Sequence, residues 1–94
     1  MRHDFAVSAI RFVRAPEHLR TTGLLGWVNL EFAGLELDGL VVRRDAAGVV
    51  RLAFPSRLDG WGRRHPYVRP LRPAVRAAIE QQVIESLRER GYVT

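Results

Sequence analysis

The segment LLGWVNLEFAGLELDGLVV, residues 24–42, carries the strongest fold signal in the chain. Apolar and polar residues alternate in its first half, which is typical of a strand with one buried face. The predicted buried face carries Leu24, Gly26, Val28, Leu30 and Phe32, and the other face carries Trp27, Asn29 and Glu31. Ala33-Gly34 then fits a two-residue turn, because glycine tolerates the positive φ that such turns require. We therefore predict an antiparallel β-hairpin.

The second strand of this hairpin changes phase at Gly39. Leu35 and Leu37 lie on its predicted inner face, whereas the later apolar residues are Leu40 and Val42. One extra residue in the strand would restore the facing, and glycine adopts the backbone conformation that this requires. We therefore predict a β-bulge at Gly39.

Two further strands flank the hairpin. The segment from Phe5 to Arg14 is rich in Phe, Val and Ile and predicts a first strand, followed by a turn at residues 15–18. The segment from Val49 to Phe54 alternates and predicts another strand, which Pro55 ends.

The last third of the chain predicts a loop and then a helix. Residues 55–70 are rich in Pro, Gly, Arg and aromatic residues, so we expect a loop with at most a short edge segment around Tyr67 and Val68. After Pro73, apolar residues recur at helical spacing, namely Val75, Ala78, Ile79, Val83 and Leu87. The predicted fold class is α+β, a small antiparallel sheet of four or five strands with one C-terminal helix packed on it. It forms a single domain over residues 1–94, with a core at about 5–90.

Length and composition narrow the class of protein. A chain of 94 residues buries a thin core, so association with a second copy would add stability. The absence of cysteine excludes disulfides, thiolate zinc sites and cysteine nucleophiles, and favours a cytoplasmic location. The polar start, Met1 to Asp4, and the short apolar runs predict neither a signal peptide nor a membrane partner.

Positive charge is concentrated in residues 56–76, which we call the basic segment. It contains one acid, Asp59, and has a charge of +5, equal to the net charge of the whole protein. Its arginines are Arg57, Arg63, Arg64, Arg69, Arg72 and Arg76. Such a cluster attracts a polyanion, so nucleic acid is the first partner to expect. The alternative is a solvated face without a ligand. All of these basic side chains are Arg and none is Lys, which can reflect a genome-wide bias in residue usage. Such a bias explains the residue type but not the clustering.

Individual residues of the basic segment suggest roles. Arg57, Arg63 and Arg64 lie in a glycine-containing stretch that would wrap a phosphate backbone, together with Arg69. Arg72 precedes the helix, where the helix N-terminus adds partial positive charge. Alternatively, it caps a carbonyl or pairs with an acid at a dimer contact.

The histidine and the aromatic residues of the same segment leave alternatives open. We expect His65 to be a turn residue that hydrogen-bonds to the backbone or, at most, makes a secondary contact with a phosphate. Exposed Trp61 or Tyr67 would offer a stacking surface for unpaired bases, although we expect Tyr67 to be buried against the helix.

Catalytic and metal-binding patterns are weak. Ser56, Asp59 and His65 are close in sequence, but no strained nucleophile turn or oxyanion hole is indicated, so we predict no enzyme and no small-molecule substrate. Metal-capable residues, namely His3, Asp4, Glu17 and His18, lack ligand spacing, so we predict no metal and no cofactor.

Several local motifs occur in a characteristic order. They are Val7–Phe12, with its Arg11; Phe54–Arg57, with its Pro-Ser; Asp59-Gly60; His65-Pro66; and Arg72 ahead of Val75, Ala78 and Ile79. In this order the chain resembles the stage V sporulation protein G (SpoVG) family of bacterial septation and sporulation regulators, from about Val7 to Leu87. Two departures are Leu58, where the family has a second basic residue, and Arg69-Pro70-Leu71, where the family has small polar residues.

The resemblance implies a homodimer that binds DNA and possibly RNA and takes part in septation or sporulation regulation. The arginines of the basic segment, with His65, are then the expected contacts of the nucleic acid, namely Arg57, Arg63, Arg64, His65, Arg69 and Arg72. The alternative is a protein–protein interaction module of the cell-division machinery, in which the arginines meet an acidic partner and no nucleic acid is bound.

Overall fold

Six strands and two helices make up the computed structural model, which describes residues 5–93. They are β1 (Val7–Arg14), α1 (Glu17–Arg20), β2 (Leu24–Phe32), β3 (Leu35–Arg44), β4 (Val50–Ala53), β5 (Ser56–Leu58), β6 (Arg64–Pro66) and α2 (Pro73–Glu89). Strands β1 to β4 form an antiparallel sheet in chain order, and β5 and β6 form a separate hairpin. The predicted α+β class is confirmed.

Helix α2 covers one face of the four-stranded sheet, which we call the inner face. The sheet contributes Val28, Leu30, Leu37, Leu40, Val42, Val50 and Leu52 to the core, and the helix contributes Ile79, Val83 and Leu87. The opposite, outer face carries the alternate residues of each strand, including Trp27 and Asn29 as predicted. Side chains of this outer face leave the sheet on the side opposite the helix, because successive residues of a strand face opposite sides. At the sheet edge, Arg51 of β4 nevertheless reaches Glu80 of α2.

The predicted alternation of β2 holds from Gly26 to Phe32 but fails at its start. Leu25, rather than Leu24, packs against the core. The reason is a shift of pairing with β3 between Leu24 and Gly26, which one extra residue in β2 produces.

The bulge predicted in β3 is confirmed. Val28 pairs with Leu40 and Leu30 pairs with Leu37, so β3 has one more residue than β2 between these pairs. Gly39 lies in this interval with a φ of 76°. The hairpin turn is also confirmed, since Ala33 and Gly34 have φ values of 53° and 78°.

The first strand is shorter than predicted and contains its own bulge. It begins at Val7, and its pairing with β2 shifts between Ser8 and Arg11, where Ala9 has a φ of 52°. The turn predicted at residues 15–18 continues into the single helical turn α1.

Polar side chains of α2 bind backbone groups on both edge strands. On β1, Gln82 Oε1 accepts a hydrogen bond of 2.9 Å from the Val7 N–H. On β4, Glu80 Oε2 accepts one of 2.8 Å from the Leu52 N–H, and Arg76 Nη2 donates one of 2.9 Å to the Leu52 carbonyl. These bonds occupy groups that an added strand would need. Within residues 5–93, no helix is long and apolar enough to cross a membrane.

Candidate nucleic-acid interface

A hairpin replaces most of the predicted loop at residues 55–70. Its strands pair Ser56 with Pro66, Arg57 with His65 and Leu58 with Arg64. The edge segment predicted around Tyr67 and Val68 is therefore wrong, because pairing ends at Pro66. Burial of Tyr67 is wrong as well: the residue is 70% exposed, and its N–H donates to the Pro55 carbonyl.

Asp59 organises the tip of this hairpin. Its Oδ1 atom accepts hydrogen bonds from the N–H groups of Trp61, at 2.8 Å, and Arg63, at 2.9 Å. Its Oδ2 atom lies 2.7 Å from Nε2 of His65. The bond to His65, and then that from the Arg63 N–H, lower the pKa of Asp59 below its usual value. The basic segment's one acid is thus engaged within the hairpin.

A second loop has the same hydrogen-bond pattern. Asp45 Oδ1 accepts bonds of 2.9 Å from the N–H groups of Ala47 and Val49, two and four residues later. In this loop Ala47 takes the position that Trp61 has in the hairpin. The loop geometry therefore does not require tryptophan, and Trp61 is 88% exposed. An aromatic ring with this exposure is free to stack on a ligand.

The pairing of β5 with β6 separates the arginines that we expected to act together. Residues directly opposite in an antiparallel pair share a face, and their neighbours lie on the other. Arg57 and His65 therefore lie on one face of the hairpin, and Leu58 and Arg64 lie on the other. The single cradle predicted from Arg57 and Arg64 is divided, with Arg63 at the turn.

The remaining predicted arginines lie outside the hairpin. Arg69 lines an apolar pocket of about 190 Å³, together with Phe32 and Val68. Arg72 occupies the N-cap position of α2, where no side chain caps the helix and the first turn contains no acid. Arg72 is exposed and forms no ion pair with a described residue of its own chain.

Five exposed arginines of the basic segment have no carboxylate partner among residues 5–93. They are Arg57, Arg63, Arg64, Arg69 and Arg72. The ion pairs found in residues 5–93 are Arg11–Glu36 and Arg51–Glu80, and Asp59 is hydrogen-bonded to His65. The sixth arginine differs, because Arg76 binds the Leu52 carbonyl and its guanidinium lies 5.5 Å from the centre of the Phe54 ring. Arg76 therefore joins α2 to β4.

His65 does not bond backbone as predicted, since its partner is the Asp59 carboxylate. Ser56 lies on the other face of the hairpin, where its Oγ atom accepts a hydrogen bond of 3.1 Å from Arg64 Nη1. Asp59, His65 and Ser56 consequently do not form a hydrogen-bonded relay.

The candidate metal ligands of the sequence are not brought together. His3 and Asp4 lie outside the described residues, and Glu17 and His18 are exposed in α1. The described part of the chain contains no group of three or more metal-capable side chains.

Sequence reasoning missed two arginines of the sheet. Arg43 and Arg51 are directly opposite each other on β3 and β4, on the same outer face as Trp27. Alternation within each strand places Arg43 and Arg51 on the outer face. Only the pairing register of β3 with β4 shows that they lie directly opposite each other.

Comparison of the chain with the profiles of known protein families finds no match, and comparison with curated protein sequences finds no significant match. The resemblance to the SpoVG family therefore rests on the motifs of the sequence.

Proposed function

We propose that this protein is a nucleic-acid-binding regulator that contacts phosphates through the β5–β6 hairpin and the start of α2. The observation that supports this most is the group of five exposed arginines that form no ion pair with any described carboxylate. The resemblance to the SpoVG family adds a homodimer, DNA or RNA as the ligand, and a role in septation or sporulation, and the absence of cysteine favours the cytoplasm.

The positive charges of the basic segment lack enough negative charge to balance them. Guanidinium groups on one short segment repel one another, and Asp59 already binds His65 and the hairpin backbone. Phosphates supply the missing negative charge, and release of their condensed counterions drives binding. His65 lies beside Arg57 on one hairpin face and adds a secondary contact there. Trp61 adds a ring that stacks on an unpaired base.

The geometry limits how many arginines a single straight duplex contacts. Because Arg57 and Arg64 lie on opposite faces of the hairpin, we count about three phosphate contacts per protomer. Each contact contributes roughly −0.9 to the slope of log affinity against log salt, so we expect a slope of about −3 per protomer.

The test is duplex binding by electrophoretic mobility shift over a series of salt concentrations. In an Arg57→Ala/Arg63→Ala variant, affinity should fall for all sequences alike and the slope should flatten by about 2. The matched control is Arg88→Ala, in the last turn of α2, where Glu85 and Glu89 are close in sequence. Parental binding by the double variant, with a loss in Arg88→Ala, would show that the hairpin is not the binding surface.

A second candidate function is a protein–protein interaction module. Leu58 and Leu71 are 59% and 84% exposed, and phosphate binding gives no reason for such apolar exposure. Arginine and aromatic residues beside exposed aliphatic groups are also typical of protein interfaces. Purified protein that binds no DNA or RNA even in dilute buffer would favour this candidate.

A further inference from the structure

An apolar row crosses the outer face of the four-stranded sheet. Val13 of β1 pairs with Trp27, Trp27 pairs with Val41, and Val41 pairs with Ala53 of β4. Residues directly opposite one another share a face, so these four side chains form one continuous line. Three strand spacings of about 4.8 Å give it a length of about 14 Å.

Charged and polar residues border this row. On the β3–β4 side, Arg43 is directly opposite Arg51, an arrangement that destabilises a sheet because the charges repel. Nη1 of Arg51 lies 3.9 Å from Oε1 of Glu80. Arg43 forms no ion pair with a described residue, and its Nη2 atom donates one hydrogen bond of 3.4 Å to the Thr22 carbonyl. A bound anion would offset this repulsion.

The hairpin extends the same surface beyond β4. An open groove of about 630 Å³ lies where β3, β4 and the hairpin meet. Its lining includes Val41, Arg43, Ala53, Ser56 and Arg64. No acidic residue lines this groove, and its two charged residues are arginines from different elements. Arg64 lies on the same hairpin face as Ser56. The groove therefore extends the positively charged border of the apolar row toward the hairpin.

We propose that an unpaired nucleic-acid strand lies across the outer face, with bases against Trp27 and Val41 and phosphates at Arg43, Arg51 and Arg64. The inference rests on the proposed function and narrows its ligand to a single strand at this surface. A duplex keeps its bases stacked inside, whereas a single strand offers their faces to apolar and aromatic side chains. The complementary charge is that of a polyanion, because Arg43 and Arg64 line the groove, and Arg51, which also contacts Glu80, borders the row.

A second copy of the chain fits this face less well. Two sheets that pack face to face form a core from several neighbouring rows of apolar side chains. Here the row beside it on one side consists of Arg51, Arg43 and Leu24, and the row on the other side contains the Arg11–Asn29 pair. Packing of two such faces would bury these charges.

The experiment uses binding of a short oligothymidylate in a Trp61→Phe background, in which Trp27 is the sole tryptophan. We expect the oligonucleotide to quench Trp27 fluorescence. Trp27→Ala should weaken binding roughly tenfold or more, measured by anisotropy of a labelled oligonucleotide, because a stacking side chain is lost. Trp27→Phe should retain most of the affinity. Arg43→Gln, an exposed change that leaves the core intact, should reduce the salt slope by about 1.

The outcomes separate this inference from the proposed function. If Arg57→Ala/Arg63→Ala loses the oligonucleotide while Trp27→Ala and Arg43→Gln bind as the parent does, the hairpin binds and the outer face does not, which overturns the inference alone. If outer-face variants lose binding and the hairpin variant does not, the inference holds and the hairpin assignment fails. Absence of any nucleic-acid binding removes both. A Trp27→Ala variant that becomes monomeric with unchanged affinity would identify the face as a contact between copies and overturn the inference.

Discussion

The Oδ2 atom of Asp59 lies 2.7 Å from Nε2 of His65, and this pair joins the hairpin tip to strand β6. The other carboxylate oxygen of Asp59 accepts the Trp61 and Arg63 N–H groups. One side chain thus sets both the turn and the position of the residues that we propose as ligand contacts. The Asp45 loop has the same turn bonds without a histidine partner and therefore provides an internal comparison.

Acid should loosen the hairpin tip, because its hydrogen bonds to Asp59 need the carboxylate. The pKa of Asp59 is lowered, first by the bond to His65, so the carboxylate is favoured in the folded state. Its support is complete above the ordinary pKa of 3.8 and is lost as pH falls through the lower, folded-state pKa. We expect the Trp61 and Arg63 amide signals in NMR spectra to lose dispersion in that range.

Substitution tests the same relationship at neutral pH. Asp59→Ala should accelerate hydrogen exchange of the Trp61 and Arg63 amides, whereas Asp45→Ala should affect the Ala47 and Val49 amides instead. Unchanged exchange at Trp61 in Asp59→Ala would contradict the role given to this carboxylate.

Gly39→Val should lower the free energy of unfolding by about 1–3 kcal/mol, because Gly39 has a φ of 76° that a β-branched residue adopts only with strain. A Cβ atom at this position would meet no atom within 4 Å, so the cost is conformational and not steric. Gly39→Asn should cost less, since asparagine tolerates left-handed backbone. Chemical denaturation measures the stability of both variants. A Gly39→Val variant as stable as the parent would contradict the bulge.

Gly26→Ala should destabilise the sheet through a steric clash. Gly26 is buried, and a Cβ atom there would meet the Val13 carbonyl oxygen and lie 2.6 Å from ring carbons of Phe12. We expect a loss of about 1–3 kcal/mol in thermal unfolding experiments, as for other overpacked sites. Gly60→Ala is the control, because a Cβ atom there enters open space. Similar melting temperatures for both variants would contradict the close packing of Phe12 on β2.

We expect a dimer in solution, formed through the exposed side chains of Leu58 and Leu71 and not through the edge of β4. The Leu52 N–H and carbonyl on that edge already bind Glu80 and Arg76. A Leu58→Asp/Leu71→Asp variant should therefore be monomeric by light scattering, whereas Val49→Asp, in the Asp45 loop, should leave the mass unchanged. A monomeric parent at tens of micromolar would refute the dimer itself.

The sequence alone determined the sheet, its central hairpin, the bulge at Gly39 and the helix that follows Pro73. These features depend on local rules: a period of two for strands, a period near 3.6 for helices, and glycine where φ is positive. The sequence also located the concentration of arginine, because charge density along a chain needs no contacts to be seen.

Only the tertiary structure decided how those side chains are distributed. The register of β5 with β6 placed Arg57 and Arg64 on opposite faces, and packing of α2 on β4 engaged Arg76 with Leu52 and Phe54. The line from Val13 to Ala53 exists only because four strands pair in one register. Alternation assigns each residue a side within its own strand, but pairing between distant segments depends on the burial and hydrogen bonding of the whole sheet.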